Sequence, residues 1–171
     1  MTLPTLRTQR LTLQAPRLRD ARLVAKALNN INVSRWLSAV PFPYGVTDAQ
    51  WFINENLRGN FHAWFIWQDA ALIGTIGLDG ELGYWLAQDA WGQGFATEAA
   101  RAVVDYHFEK HEADHLKSTY FDGNAASRSV LVKLGFERTS ADLHFSAARQ
   151  EDVPVHCMTL TRHRWEAARD V

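Results

Sequence analysis

One cysteine, Cys157, stands in a chain of 171 residues. A lone thiol excludes an intramolecular disulfide and any Cys-based zinc cluster, so packing alone must hold the fold. An excess of one charge is also missing: 18 Lys+Arg stand against 19 Asp+Glu, a formal net charge of -1. No global basic field recruits nucleic acid or an anionic membrane. No stretch approaches the ~20 apolar residues of a membrane span. The opening MTLPTLRTQRLTL lacks the uninterrupted apolar core of a secretion signal. These absences predict a cytoplasmic protein with neither membrane nor nucleic acid as partner. Linkers, repeats and low-complexity runs are absent too, so residues 1–171 read as a single domain. What is plentiful is tryptophan. Seven Trp suit a large core or an aromatic-lined groove.

The hydrophobic period changes along the chain. Leu11, Leu13 and Ala15 alternate with Thr12 and Gln14, a strand that Pro16 ends. Leu18, Ala21, Val24, Ala25 and Leu28 then fall at helical spacing, with Asn29-Asn30 as a stop. Val33 to Val46 reads as an irregular aromatic-rich loop or short helix. Thr47-Asp48-Ala49-Gln50 has the capping-box pattern and predicts a second helix carrying Trp51, Phe52 and Leu57. Ala63 to Gln68, Leu72 to Leu78 and Leu82 to Leu86 form a meander, its turns at Asp69-Ala70-Ala71 and Asp79-Gly80. From Phe95, residues Ala99, Ala102, Val103 and Tyr106 repeat at three and four, giving a long helix to Lys110. A strand over 116–121 follows, then a helix over 125–134 closed by Gly135. Short strands over 136–139 and 156–161 and a helical piece over 162–168 complete the reading. The pattern predicts an α/β or α+β domain with a mixed sheet.

The chemistry-bearing stretch is WGQGFATEA, Trp91 to Ala99. Glycines at 92 and 94 remove Cβ atoms where a ligand approaches the backbone, and the next residues present the free N–H groups of a helix N-terminus. Together they suit a pyrophosphate; a plain strand–turn–helix junction is the alternative. No Gly-Lys-Ser/Thr makes it a Walker loop, and no third spaced glycine makes it a dinucleotide fingerprint. His107, His111 and His115 are spaced by four, but no HExxH-type pattern supports a metal, and histidines are favourable near a helix C-terminus. No metal is expected.

LGYWLAQDAWGQGFATEAA followed by DGNAASRSVLVKLGF resembles the GNAT acetyltransferases of the RimJ/RimL-type branch. LRTQRLTLQAPRLRDA and PFPYGVTDAQWFI fit the same branch, so the resemblance spans roughly residues 6–165. It implies a twisted mixed sheet whose central strands splay at a bulge, with acetyl-CoA as co-substrate in the gap. It also implies direct transfer of acetyl in a ternary complex to a primary amine, foremost a protein or peptide N-terminal α-amine. A small-molecule amine (polyamine, antibiotic or amino-sugar) and a catalytically inactive acyl-CoA-binding module are the alternatives. The protein would act as a monomer or homodimer.

Carried over residue by residue, the resemblance assigns the backbone of Tyr84, Trp85, Leu86 and Ala87 to the pantetheine arm. It assigns that of Gly92, Gln93, Gly94, Phe95, Ala96 and Thr97 to the pyrophosphate. Trp91 stands where family members usually have Gln or Arg. Asn124 matches a CoA-contacting Asn. Leu131 stands where many relatives carry a proton-donating Tyr. Ser127, three residues after Asn124, is the branch's residue near the CoA sulfur and the candidate acid; its structural alternative is an ordinary first-turn helix residue. For a general base, Glu81 leads and His62 follows, against a solvated hairpin carboxylate and a structural histidine. Glu98 in the first helical turn complements the helix dipole instead. Trp36, Phe42 and Tyr44, with Trp51 beside them, are the candidate wall of the acceptor site or of the core. Cys157, without a partner nearby, reads as packing rather than as an acyl carrier.

Overall fold

The segment AWFIWQ has no polar face, and a strand with no polar face must be covered on both sides. It forms β3 (Ala63–Gln68), central in an eight-stranded sheet, with Trp64 and Ile66 on one face and Phe65 and Trp67 on the other. The computed structural model describes residues 3–170. The other strands are β1 (Leu6–Arg7), β2 (Thr12–Gln14), β4 (Ala71–Leu78), β5 (Glu81–Leu86), β6 (His115–Phe121), β7 (Glu137–Ser146) and β8 (Glu151–Thr161). Their order is β1-β2-β3-β4-β5-β6-β8-β7. Every neighbouring pair is antiparallel except β5 and β6.

Helices cover both faces. On one side lie α1 (Ala21–Leu28), the short α2 (Ile31–Ser34) and α3 (Val46–Leu57), closing a core of Val24, Leu28, Ala49, Ile53 and Phe65. On the other lie α4 (Phe95–Lys110) and α5 (Ala125–Lys133), with Phe95, Ala99, Val103, Leu131 and Leu160 buried against Trp64 and Ile76. The terminal α6 (Arg162–Arg169) docks on α4. Its Trp165 Nε1 donates to Asp105 Oδ1 at 2.7 Å, and Arg162 donates to the carbonyls of Phe108, His111 and Ala113 around the α4 C-terminus. Those carbonyls have no helical partner, so the guanidinium supplies it.

Three features depart from the sequence reading. The α3 cap sits two residues early: Gly45 is the N-cap, and Asp48, not Gln50, reaches back to accept from the Gly45 N–H at 2.8 Å. β1 was not anticipated. β7 and β8 form a long hairpin through residues left unassigned, because β7 is exposed along nearly its whole length and Pro154 interrupts the β8 pattern. Pro154 keeps its place through its carbonyl, which accepts from the Asp122 N–H at 2.8 Å.

The sheet forks at its centre. β5 and β6 pair only through Glu81↔Lys117 and Leu82↔Ser118. The buried Ser118 hydroxyl donates to the Leu82 carbonyl at 2.7 Å and pins the apex. Beyond it β5 follows β4 as far as Gly74↔Leu86, while β6 follows β8 to Phe121↔Val155. A bulge lies beside the open end: Ile66 pairs Gly74 but Trp67 pairs Leu72, leaving Ile73 as an extra residue in β4. Ile73 and Ile76, an odd and an even position, consequently pack in one cluster.

Backbones are tight there. A Cβ on Gly74 would lie 2.2 Å from the Trp85 carbonyl oxygen, whereas one on Gly83 would meet nothing within 4 Å. Gly74→Ala is therefore expected to cost about 1–3 kcal/mol in urea unfolding, with Gly83→Ala within about 0.5 kcal/mol of wild type. Equal midpoints for the two variants would show that the bulge does not set this approach.

Candidate active site at the strand fork

β5 and β6 run parallel, and each feeds a helix at its C-terminal end. α4 and α5 therefore both begin where the fork opens, the position where parallel strands hold ligands. Alternation along β5 decides which main-chain groups face the gap. The Ala87 N–H donates to the Ile73 carbonyl at 2.8 Å, so the odd-numbered residues turn to β4 and Tyr84 and Leu86 turn to the opening. Of the four residues assigned to the pantetheine arm, only these two present backbone groups there. The Ala87 carbonyl is also taken, by the Ala90 N–H at 2.9 Å. The Trp91 indole donates to the Leu86 carbonyl at 2.9 Å, which leaves the Leu86 N–H as the open donor.

The loop before α4 keeps its amides free. Gly92 and Gly94 have φ of 72° and 80°, the left-handed region where a side chain is strained. No side chain caps α4, and among the described residues no acceptor reaches the N–H groups of Phe95, Ala96 or Thr97. This is a cradle suited to a diphosphate. Phe95 contributes through its backbone alone, since its ring is buried in the core. Gln93 braces the turn by donating to the Asp89 carbonyl at 3.1 Å.

A cation stands at this loop that the sequence reading missed. Arg10, from the turn between β1 and β2, donates from Nη1 to the Gln93 carbonyl at 2.9 Å and lies over the Phe95 ring at 4.5 Å. Its Nη2 would be 3.4 Å from a Cβ on Gly94. Arg10 Nε meets Glu98 Oε2 at 2.7 Å, and Glu98 Oε1 accepts from the Thr8 hydroxyl and from the Arg10 N–H. Burial alone would raise the Glu98 pKa, but the hydrogen bonds from Thr8 and Arg10, with the Arg10 charge, hold it below its ordinary value. Glu98 is thus an anchor for the β1–β2 turn.

At the start of α5, Asn124 is the N-cap and its Oδ1 accepts from the Ser127 N–H at 3.1 Å, leaving the amide NH2 to donate elsewhere. Ser127 is half-buried. The Tyr84 hydroxyl crosses from β5 to α5 and lies 3.0 Å from Ser127 Oγ. Burial pushes the Tyr84 phenol up to about 12, the Ser127 hydrogen bond acting against it.

The base candidates lie elsewhere. Glu81 is at the closed end of the fork, in register with Lys117, beside a cavity of about 100 Å³ shared with His107 and His115. His62 is held by Asp79, whose Oδ1 accepts from the His62 N–H at 2.8 Å and lies 3.1 Å from Nδ1. The aromatic wall does not converge either. Trp36 packs on Phe121, Val153 and Val155, with the guanidinium groups of Arg35 and Arg149 each 5.0 Å from its ring centroid. Phe42 is exposed, and Tyr44 is buried in the core between α1 and α3. Trp51 is exposed on α3, edge-on to Phe61. Asp122, two residues before Asn124, lies 2.7 Å from His156 Nε2, a pair no local pattern announced. Among the described residues no group of three His, Cys, Asp or Glu is placed to hold a metal ion. Burial lowers the His107 pKa, which favours the neutral ring.

A sequence model of the family described as "Acetyltransferase (GNAT) domain" matches residues 10–137. The chain is 26% identical over 174 residues to the uncharacterized N-acetyltransferase p20 of Bacillus licheniformis, covering 94% of this chain and 98% of that one. Mycobacterium smegmatis RimJ in complex with CoA-disulfide has a TM-score of 0.76 at 22% identity, over 98% of this chain and 94% of that one. The microcin C7 self-immunity acetyltransferase MccE in complex with acetyl-CoA and AMP has a TM-score of 0.78 at 17% identity, over 90% and 93%. At these identities the structural likeness is one of fold.

The anchor titrates with a definite sign. Because the folded-state pKa of Glu98 is depressed, its stabilisation is complete above the ordinary value of 4.5 and is lost as pH falls through the folded value. The stability gap between wild type and Glu98→Gln, measured by urea unfolding, should be widest near neutral pH and close progressively below pH 4.5. A gap that stays constant to the lowest accessible pH would remove the ionised carboxylate from the account.

Proposed function

We propose that this protein, which belongs to the GNAT acetyltransferase family, moves the acetyl group of acetyl-CoA to the α-amino group of a protein or peptide N-terminus. Membership makes the chain an acetyl-CoA-dependent N-acetyltransferase; the acceptor and the residue roles are the proposal. The observation that carries it is the meeting, at one end of the fork, of an unpaired strand edge with the uncapped first turn of α4. The residues fit a thioester on a diphosphate-bearing arm. Amides from Gly92 to Thr97 hold the diphosphate, the β5 edge at Tyr84 and Leu86 aligns the arm, and the Leu86 N–H faces the gap where it can polarise a carbonyl. Acetyl-CoA supplies an activated acyl group with a thiolate leaving group.

The acceptor class follows from what the open end lacks. Neither candidate base is at the open end: Glu81 lies at the closed end of the fork and His62 is paired with Asp79, so the nucleophile must deprotonate without them. At pH 7 the neutral form costs an α-amine of pKa about 8 roughly 1.4 kcal/mol and a lysine amine of about 10.4 roughly 4.6 kcal/mol. An α-amine suits this site. Direct transfer is favoured over an acyl-enzyme, because Cys157 lies within β8, paired between Thr119 of β6 and Ser140 of β7. Ser127 is the candidate proton donor to sulfur, and Trp36, beside the C-terminal end of β6, is the acceptor-side aromatic.

The test follows thiol release from acetyl-CoA with free-N-terminus peptides, N-blocked lysine peptides, polyamines and amino-sugars. Turnover of the free-N-terminus peptides at least tenfold above the rest is expected; equal or greater turnover of N-blocked lysine peptides or polyamines would overturn the acceptor assignment. Gly94→Val, which puts a branched side chain at φ 80°, should weaken CoA binding at least tenfold with helix content unchanged. Ser127→Ala should lower kcat while leaving CoA affinity within twofold. Unaltered CoA affinity in Gly94→Val would mean that the anion is held elsewhere.

A further inference from the structure

The phenol that crosses the fork has a chemical consequence. Tyr84 stands two residues past the apex, and its side chain packs on the α4–α5 face with Leu82 and Leu86. Its hydroxyl reaches Ser127 Oγ at 3.0 Å and the Ser127 carbonyl oxygen at 3.3 Å. The Ser127 N–H is held from the other side by Asn124 Oδ1. Ser127 is thereby fixed at main chain and side chain, although it lies in the first turn of a surface helix. Leu131, where many relatives carry a tyrosine, is fully buried and has no proton to give.

A hydroxyl has one proton and two acceptor sites. Where Oγ accepts from Tyr84, its own proton is left to point away from the phenol and is free for another acceptor. We propose that Tyr84 is the positioning residue of the proton-delivery step, turning the Ser127 proton toward the thioester sulfur by donating to Ser127 Oγ. The inference rests on the acetyl-transfer reading above. In the step it serves, the acceptor nitrogen bonds to the acetyl carbon, and the carbon–sulfur bond breaks with its electron pair left on sulfur. Sulfur takes the Ser127 proton, and Ser127 takes, through water, the proton that the acceptor nitrogen sheds. Tyr84 exchanges none. Its pKa of about 12 keeps it a donor throughout the neutral range, and because Ser127 regains a proton through water as it gives one up, no alkoxide forms and the phenol keeps its own.

The test is a double-mutant cycle on turnover, with CoA affinity measured directly on each protein. Tyr84→Phe keeps the ring and removes the hydroxyl. It should lower kcat about fivefold to tenfold, the worth of one hydrogen bond in a transition state. KM for acetyl-CoA and CoA affinity should stay within twofold. In a Ser127→Ala background, Tyr84→Phe should have no further effect on kcat. Thermal melting of each variant separates loss of fold from loss of chemistry. Unchanged kcat in Tyr84→Phe, effects that multiply in the double variant, or a CoA affinity that falls as much as kcat would each overturn the proposal. Wild-type protein that binds CoA but turns over no acceptor would instead overturn the reading beneath it.

Discussion

The parting of β5 from β6 past Leu82 and Ser118 is the constraint on which the rest depends. A strand edge inside a sheet is costly, since each buried main-chain group without a partner forfeits about the worth of a hydrogen bond. The fold concentrates that cost in one place. Past the apex β5 stays with β4 and β6 with β8, so each strand diverges in company with its outer partner. The Ser118 hydroxyl fixes where separation begins, and the bulge at Ile73 lets β4 bend with β5 instead of releasing it. What the fold leaves open toward the gap is the main-chain edge of Tyr84 and the Leu86 N–H.

The second half of the site is electrostatic, and it is preorganised by a segment remote in sequence. α4 presents free N–H groups, equivalent to about half a positive charge at its N-terminus. Glu98 in the same turn would oppose an anion if its charge were free. The structure instead ties it to Arg10 and Thr8, residues 88 and 90 positions away, so the acid draws a guanidinium to the loop. The β1–β2 turn is thereby joined to the loop that opens α4. The Phe95 ring beneath the guanidinium connects this surface network to the core.

Period and turn chemistry made most of this architecture readable from sequence. α4 begins and ends where the three-and-four spacing says, because Gly94 in the left-handed region marks its N-cap and the buried stripe from Phe95 to Phe108 is regular. The meander is equally plain, since Asp79-Gly80 has few other conformations to adopt. The β7–β8 hairpin was not readable: its exposed side chains carry no alternation, and Pro154 argues against a strand that its carbonyl nevertheless joins. Trp36, Phe42 and Tyr44 are close in sequence and suit a wall of the acceptor site or of the core, yet they separate: Tyr44 is drawn into the α1–α3 core while Trp36 crosses to β6 and β8. Such partitioning is decided by which helix face a residue meets, which a local window does not contain.

The two departures from the family pattern, Trp91 and Leu131, are best understood together. Each removes a polar group from its usual place in the chain, and in each case a group from another element stands nearby. Trp91 brings no cation to the phosphate loop, but its indole closes on the Leu86 carbonyl while Arg10 stands at the loop. Leu131 brings no phenol to α5, but it fills the core beneath the helix while Tyr84 reaches α5 from β5. A phenol on β5 is attached to the strand that bounds the gap, so its place is set by the same hydrogen bonds that set the gap. One on α5 would depend on how that helix packs. In the step proposed above, a phenol on the strand rather than on the helix couples proton delivery to the geometry of the fork, and the hydroxyl between them, Ser127, is where the two meet.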